Sequence, residues 1–139
     1  MVNVLVIDGQ GGKIGALIVE ALIKKAYPIN VVVVGTNAVA TQTMMKVGVK
    51  QGGTGENPVV VNASKADIII SPIGLMIENA MYGEVTAKMN QALLQSQANK
   101  IIIPFSQCGS FHFVSESVSL NQLIDLTIAR FEKILKDES

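Results

Sequence analysis

Three glycines at three-residue intervals, Gly9, Gly12 and Gly15, stand between the apolar run Val2 to Ile7 and the apolar stretch Ala16 to Ala26. Glycine lets a backbone turn sharply and come close to a ligand or a neighbouring element. Between a strand and a helix, that freedom sets a phosphate on the amides of the helix N-terminus, where the dipole favours negative charge. The residues placed to do so are Gly9, Gln10, Gly11, Gly12, Lys13, Ile14 and Gly15. Their spacing fits a G-x-x-G-x-x-G dinucleotide pattern. The stricter G-x-G-x-x-G fails, because Ile14 stands where its last glycine belongs. A P-loop is excluded, since Lys13 is followed by Ile14 rather than by Ser or Thr. The competing reading is that the glycines serve only a tight turn. Gly12 separates the two: a bulky residue there should abolish binding without unfolding if the turn is a site, and should cost folding if it is not.

Further along, Gly35, Thr36 and Asn37 follow the next apolar run. An NAD site usually carries an acid at this place, about 20 residues past the glycines, to hold the ribose 2′-hydroxyl. A neutral hydroxyl and amide, with Lys13 in the turn, instead favour a 2′-phosphate and hence NADP, or a mononucleotide. Thr36 and Asn37 can equally be helix caps. Ser71, Pro72, Ile73 and Gly74 would complete the pocket. Short-chain dehydrogenase chemistry also needs Tyr-x-x-x-Lys, in which the lysine lowers the tyrosine pKa. Tyr27 is followed four residues on by Val31, and Tyr82 by Thr86, so that machinery is disfavoured. A small oxidoreductase of another kind, or a redox or nucleotide sensor, stays open.

A different chemistry would use Cys108, with His112 four residues on. A thiolate needs a base or a positive environment. The pair would make an enzyme acting on a small phosphorylated or carboxylated metabolite; the alternative is a small semi-buried cysteine and a strand histidine. One Cys and one His form no recognisable metal-ligand set. Asp8, at a strand end, reads as a cap of the glycine turn, and Glu56, Glu78 and Glu84 read as scattered carboxylates.

The elements that must position these residues alternate strand and helix. Val2 to Ile7 is a strand and Gly12 to Ala26 a helix stopped by Tyr27-Pro28. Ile29 to Val34 is a second strand, followed by a helix from Ala38 to Lys46. Val59-Val60-Val61 has strand propensity, yet a strand there would leave five residues before the one at Asp67 to Ser71. A parallel crossover takes a dozen or more. A helix over 58–66, with Asn57 as N-cap and Pro58 first, resolves the conflict. The third strand is then Val49 to Gln51, with Gly52 to Gly55 as a loop. A short helix over Leu75 to Met81, a helix Ala87 to Ser96 capped by Thr86, strands at Lys100 to Pro104 and Phe111 to Val114, and a closing helix from Ser119 complete the chain. This pattern predicts one Rossmann-like α/β domain over 1–139: a doubly wound, mainly parallel sheet of five to six strands with helices on both faces. Its ligand belongs at the carboxyl ends of the strands.

Composition bounds the partners. The 11 basic and 11 acidic residues cancel, which removes the electrostatic case for nucleic acid or an anionic membrane. The apolar stretch Ile14 to Ile23 is broken by Glu20 and too short for a bilayer, and no signal peptide is visible. A single cysteine suits a cytoplasmic protein. The apolar first and last helices can pack internally or form a homodimer or higher homo-oligomer, and a non-catalytic assembly module is the third functional class.

Taken together, Val6-Ile7-Asp8-Gly9-Gln10-Gly11-Gly12, Gly35-Thr36-Asn37-Ala38-Val39-Ala40-Thr41, Gly53-Thr54-Gly55-Glu56-Asn57, Asp67 to Gly74 and Gln107-Cys108-Gly109 resemble a family of short bacterial proteins known as a domain of unknown function. The resemblance spans nearly the whole chain. It implies a small Rossmann-like protein and brings no substrate or catalytic residue.

Overall fold

The computed structural model describes residues 1–104 and 118–138. Among these, β1 (Val2–Asp8), β2 (Ile29–Gly35), β3 (Gly52–Thr54), β4 (Ile68–Pro72) and β5 (Asn99–Ile103) form a parallel sheet in the order β3-β2-β1-β4-β5. The helices are α1 (Lys13–Lys24), α2 (Ala38–Met45), α3 (Glu56–Lys65), α4 (Ala87–Gln95) and α5 (Leu120–Glu138).

Alternate residues of a strand point to opposite faces. Val4 and Val6 of β1 join Ile18, Leu22, Val33, Met44 and Phe131 under α1, α2 and α5. Leu5 and Ile7 join Val59, Leu75, Met89 and Leu93 under α3 and α4. Because helices cover both faces, β1 needs no polar alternation, and its unbroken apolar run follows. The chain starts at the centre, winds out to β3, then returns to β4 on the other side of β1. This is the doubly wound Rossmann-like class expected, and the reversal between β1 and β4 marks the crevice where ligands bind such sheets.

Local signals hold in several places. Val59 to Val61 are helical, as the crossover argument required. The Thr86 hydroxyl caps α4 by accepting from the Met89 amide. Ser119 opens α5 with a reciprocal box: its hydroxyl accepts from the Gln122 amide at 3.2 Å, while the Gln122 side chain accepts from the Ser119 amide at 2.8 Å.

Three boundaries differ. The third strand is Gly52–Thr54, paired with Val33 to Gly35, and not Val49 to Gln51. Val49 instead buries its side chain in the core beneath α1 and α2. The glycines suit an edge strand pressed on both faces: a Cβ on Gly52 would come within 2.7 Å of Met45 Sδ, and one on Gly53 within 2.9 Å of Pro58 Cβ. Helix α3 starts at Glu56 with Gly55 as cap (φ 97°), not at Pro58 with Asn57 as cap. Pro58 then lies in the first turn, where its missing N–H costs nothing. In place of a helix over Leu75 to Met81 there is a 3₁₀ turn, Ile73–Met76, followed by a four-residue helical turn, Ala80–Gly83, with left-handed backbone at Asn79, Met81 and Tyr82. The expected strand Phe111 to Val114 lies outside the described residues. On the first and last helices, Ile23 and Leu126 are exposed apolar positions.

Candidate functional site

The glycine turn leaves β1 at Gly9 and enters α1 through Gly12, whose φ of 73° is left-handed and which offers no side-chain cap. Asp8 supplies that cap. Its carboxylate accepts from the Gly9 amide at 2.8 Å and from the Gly15 amide at 2.7 Å, and the residue is 4% exposed. Burial pushes the Asp8 carboxyl above its ordinary pKa; the bonds from Gly15 and Gly9 oppose this only in part, and the charge of Glu84 adds to it. The Gly12 amide donates to the Gly9 carbonyl at 3.0 Å. The amides of Gly11 and Lys13 have no hydrogen-bond partner among the described residues.

The four glycines of the turn are not equivalent. A Cβ on Gly9 would collide with Met81 Sδ. One on Gly12 would come within 2.7 Å of the Ala40 backbone, and one on Gly15 within 2.5 Å of Met44 Sδ and 2.9 Å of Asp8 Cβ. These three are required by the packing of α1 against β1 and α2 and by the Met81 segment. Above Gly11 there is nothing within 4 Å among the described residues. The test placed on Gly12 is therefore corrected: a side chain at Gly12 strains the fold whether or not the turn binds anything, and Gly11 is the informative position.

The β1–β2 register pairs Asp8 with Gly35, and the Thr36 amide donates to the Asp8 carbonyl at 3.0 Å, so Thr36 and Asn37 stand beside the turn. Neither side chain is idle. Glu84 Oε1 accepts from Thr36 Oγ1 at 2.5 Å, from Asn37 Nδ2 at 3.0 Å and from the Gln10 amide at 3.1 Å. Asn37 Nδ2 also donates to the Gln10 carbonyl at 2.9 Å, while its Oδ1 accepts from the Ala40 amide at 2.8 Å and caps α2. Burial alone would raise the Glu84 pKa, but the bonds from Thr36, Asn37 and Gln10 together outweigh it and hold the carboxyl below its ordinary value.

An acid thus does stand at the end of β2. It comes from the far side of the switch point, 47 residues past Asn37 in the chain. The Thr36 and Asn37 donors expected to meet a 2′-phosphate are engaged by this carboxylate. The segment carrying Glu84 is turned by left-handed residues, Asn79 (φ 66°), Met81 (58°), Tyr82 (57°) and Gly83 (90°). It is fastened by the fully buried Val85, whose carbonyl accepts from the Asn79 amide at 2.7 Å.

The Gly35 amide donates to Thr41 Oγ1 at 3.1 Å. Ser71 and Pro72 are buried within β4, and the Ser71 hydroxyl donates to the Pro72 carbonyl. Ile73 and Gly74 begin the 3₁₀ turn, which Asn90 steadies by donating to the Leu75 carbonyl at 2.6 Å. Cys108 and His112 lie outside the described residues. Among the described residues no cluster of His, Cys, Asp and Glu could hold a metal, and no helix is long and apolar enough to cross a membrane.

A solved structure with a similar fold is a dodecameric FMN-dependent UbiX-like decarboxylase from Escherichia coli O157:H7. It superposes with a TM-score of 0.50 at 11% identity, over 94% of this chain and 76% of that one. At that identity the likeness concerns the fold. No curated protein matches the sequence. A family model described as a domain of unknown function, DUF3842, matches residues 3–136, and the chain therefore belongs to that family.

Proposed function

We propose that the crevice at the carboxyl ends of β1, β2 and β4 binds a nucleotide-type ligand, with a phosphate over Gly11. The observation that carries this reading is Gly11 itself. Among the described residues it is the glycine of the turn that no neighbour requires, and its amide and that of Lys13 have no partner there at the N-terminal end of a 12-residue helix. Open space above a backbone donor is what a close-approaching phosphate needs. Lys13 adds a cation at the same turn. The Asp8 carboxylate takes the amides of Gly9 and Gly15, which leaves those of Gly11 and Lys13 to an incoming anion. Mononucleotides and dinucleotides both fit this description; FMN, on which the fold neighbour depends, belongs in the test with NAD, NADP, FAD and ATP.

A ligand that binds only the folded state stabilises it by mass action, by about 2.7 kcal/mol at a hundredfold excess over Kd. Thermal melts against that panel should show at least one nucleotide raising Tm by several degrees. A flat response across the panel refutes the reading.

A further inference from the structure

We infer that Glu84 is the ribose-recognition residue of this site and makes it select ligands whose ribose hydroxyls are unphosphorylated. The inference rests on the nucleotide reading above and narrows it. One carboxylate oxygen, Oε1, is fixed by donors from the glycine turn and from the end of β2: the Gln10 amide, the Thr36 hydroxyl and the Asn37 side chain. The other, Oε2, accepts no hydrogen bond among the described residues. A carboxylate locked by one oxygen presents the second as a pre-oriented acceptor, at little further entropy cost. It lies at the ends of β1 and β2, where a dinucleotide fold holds the ribose of its ligand. An acceptor-only group there suits a hydroxyl donor and offers a phosphate in that hydroxyl's place no hydrogen bond.

Glu84 does not compete with the ligand phosphate for donors. It takes the Gln10 amide, whereas the amides of Gly11 and Lys13 have no partner among the described residues. The alternative, that Glu84 imitates a bound anion and must leave before any ligand enters, predicts the opposite effect of removing its charge.

The experiment is calorimetric titration of wild type and Glu84→Gln with two ligand pairs, NAD against NADP and adenosine 5′-monophosphate against adenosine 2′,5′-bisphosphate. Wild type should bind the member without the 2′-phosphate roughly tenfold or more tightly, the scale of one charged hydrogen bond. Glu84→Gln should bring each ratio close to one. If nucleotides bind but the ratios are the same in both proteins, the role of Glu84 falls while the nucleotide site stands. If every ligand binds Glu84→Gln more tightly, the carboxylate is a plug and the inference is wrong. If no nucleotide binds either protein, both readings fall. Should Glu84→Gln not fold, the wild-type ratios decide, and equal or tighter binding of the 2′-phosphorylated members overturns the proposal.

Discussion

Asp8 and Glu84 meet at one turn and respond to pH in opposite senses. Glu84 has its pKa held below the ordinary 4.5, so its contribution to stability is present above that value and is lost as pH falls through the folded pKa. Asp8 has its pKa raised above 3.8, so its contribution is fully present below that value and is lost as pH climbs through the raised folded pKa. In melts from pH 7 to pH 3, the Tm advantage of wild type over Glu84→Gln should shrink below about pH 4.5, and a constant offset would contradict the hydrogen-bonded arrangement. Against Asp8→Asn, the wild-type curve should lose ground as pH rises. The glycines give a second residue-scale prediction. Gly12→Ala should cost about 1–3 kcal/mol in urea unfolding, from a left-handed backbone and the close Ala40 backbone. Gly11→Ala should leave stability within about 1 kcal/mol and weaken ligand binding; equal destabilisation by the two would remove the special status of Gly11. Asp8 was legible as a cap because a short carboxylate directly before a helix turn acts locally. Glu84 was not, since its partners are distant in the chain and its neighbours, Gly83 and Val85, carry no chemical signal.

At the scale of elements, helix patterning was readable wherever the periodic face and the cap were both local. α5 is the clearest case: Ile124, Ile128, Phe131 and Leu135 are buried at helical spacing, and the Ser119–Gln122 box fixes its start. Phe131 is fully buried and meets the Tyr27 ring edge-on, with centroids 5.2 Å apart, so it ties α5 to the connection between α1 and β2. Phe131→Ala should cost about 3–5 kcal/mol in denaturant unfolding, and a loss under about 1 kcal/mol would mean that α5 is not part of the core. β3 shows the converse. Gly52 and Gly53 carry no strand propensity, and Val49 carries a strong one, so propensity pointed one step too early. What places β3 is the tight cover from Met45 and Pro58, a contact between elements that no local window contains. The crossover-length argument worked for α3 because it used a tertiary constraint, the reach of a parallel connection, against the β-branched run Val59 to Val61.

For the whole molecule, the sequence by itself determined the class. Continuous apolar strands alternating with helices have to be buried on both faces, which requires a parallel, doubly wound sheet, and a glycine turn after the first strand has to open at the strand ends. Those conclusions follow from burial and connection length, both written along the chain. Strand order was decided only by tertiary structure: β4 returns to the far side of β1, and this puts the segment after β4 across the crevice from β2. From that one crossing come the meeting of Glu84 with Gln10, Thr36 and Asn37 and the contact of Met81 on Gly9. The reason is that hydrogen bonds across a switch point join residues whose proximity depends on how the strands are ordered in space. Sequence spacing specifies a glycine turn at the end of the first strand; the folded sheet specifies which carboxylate stands beside it.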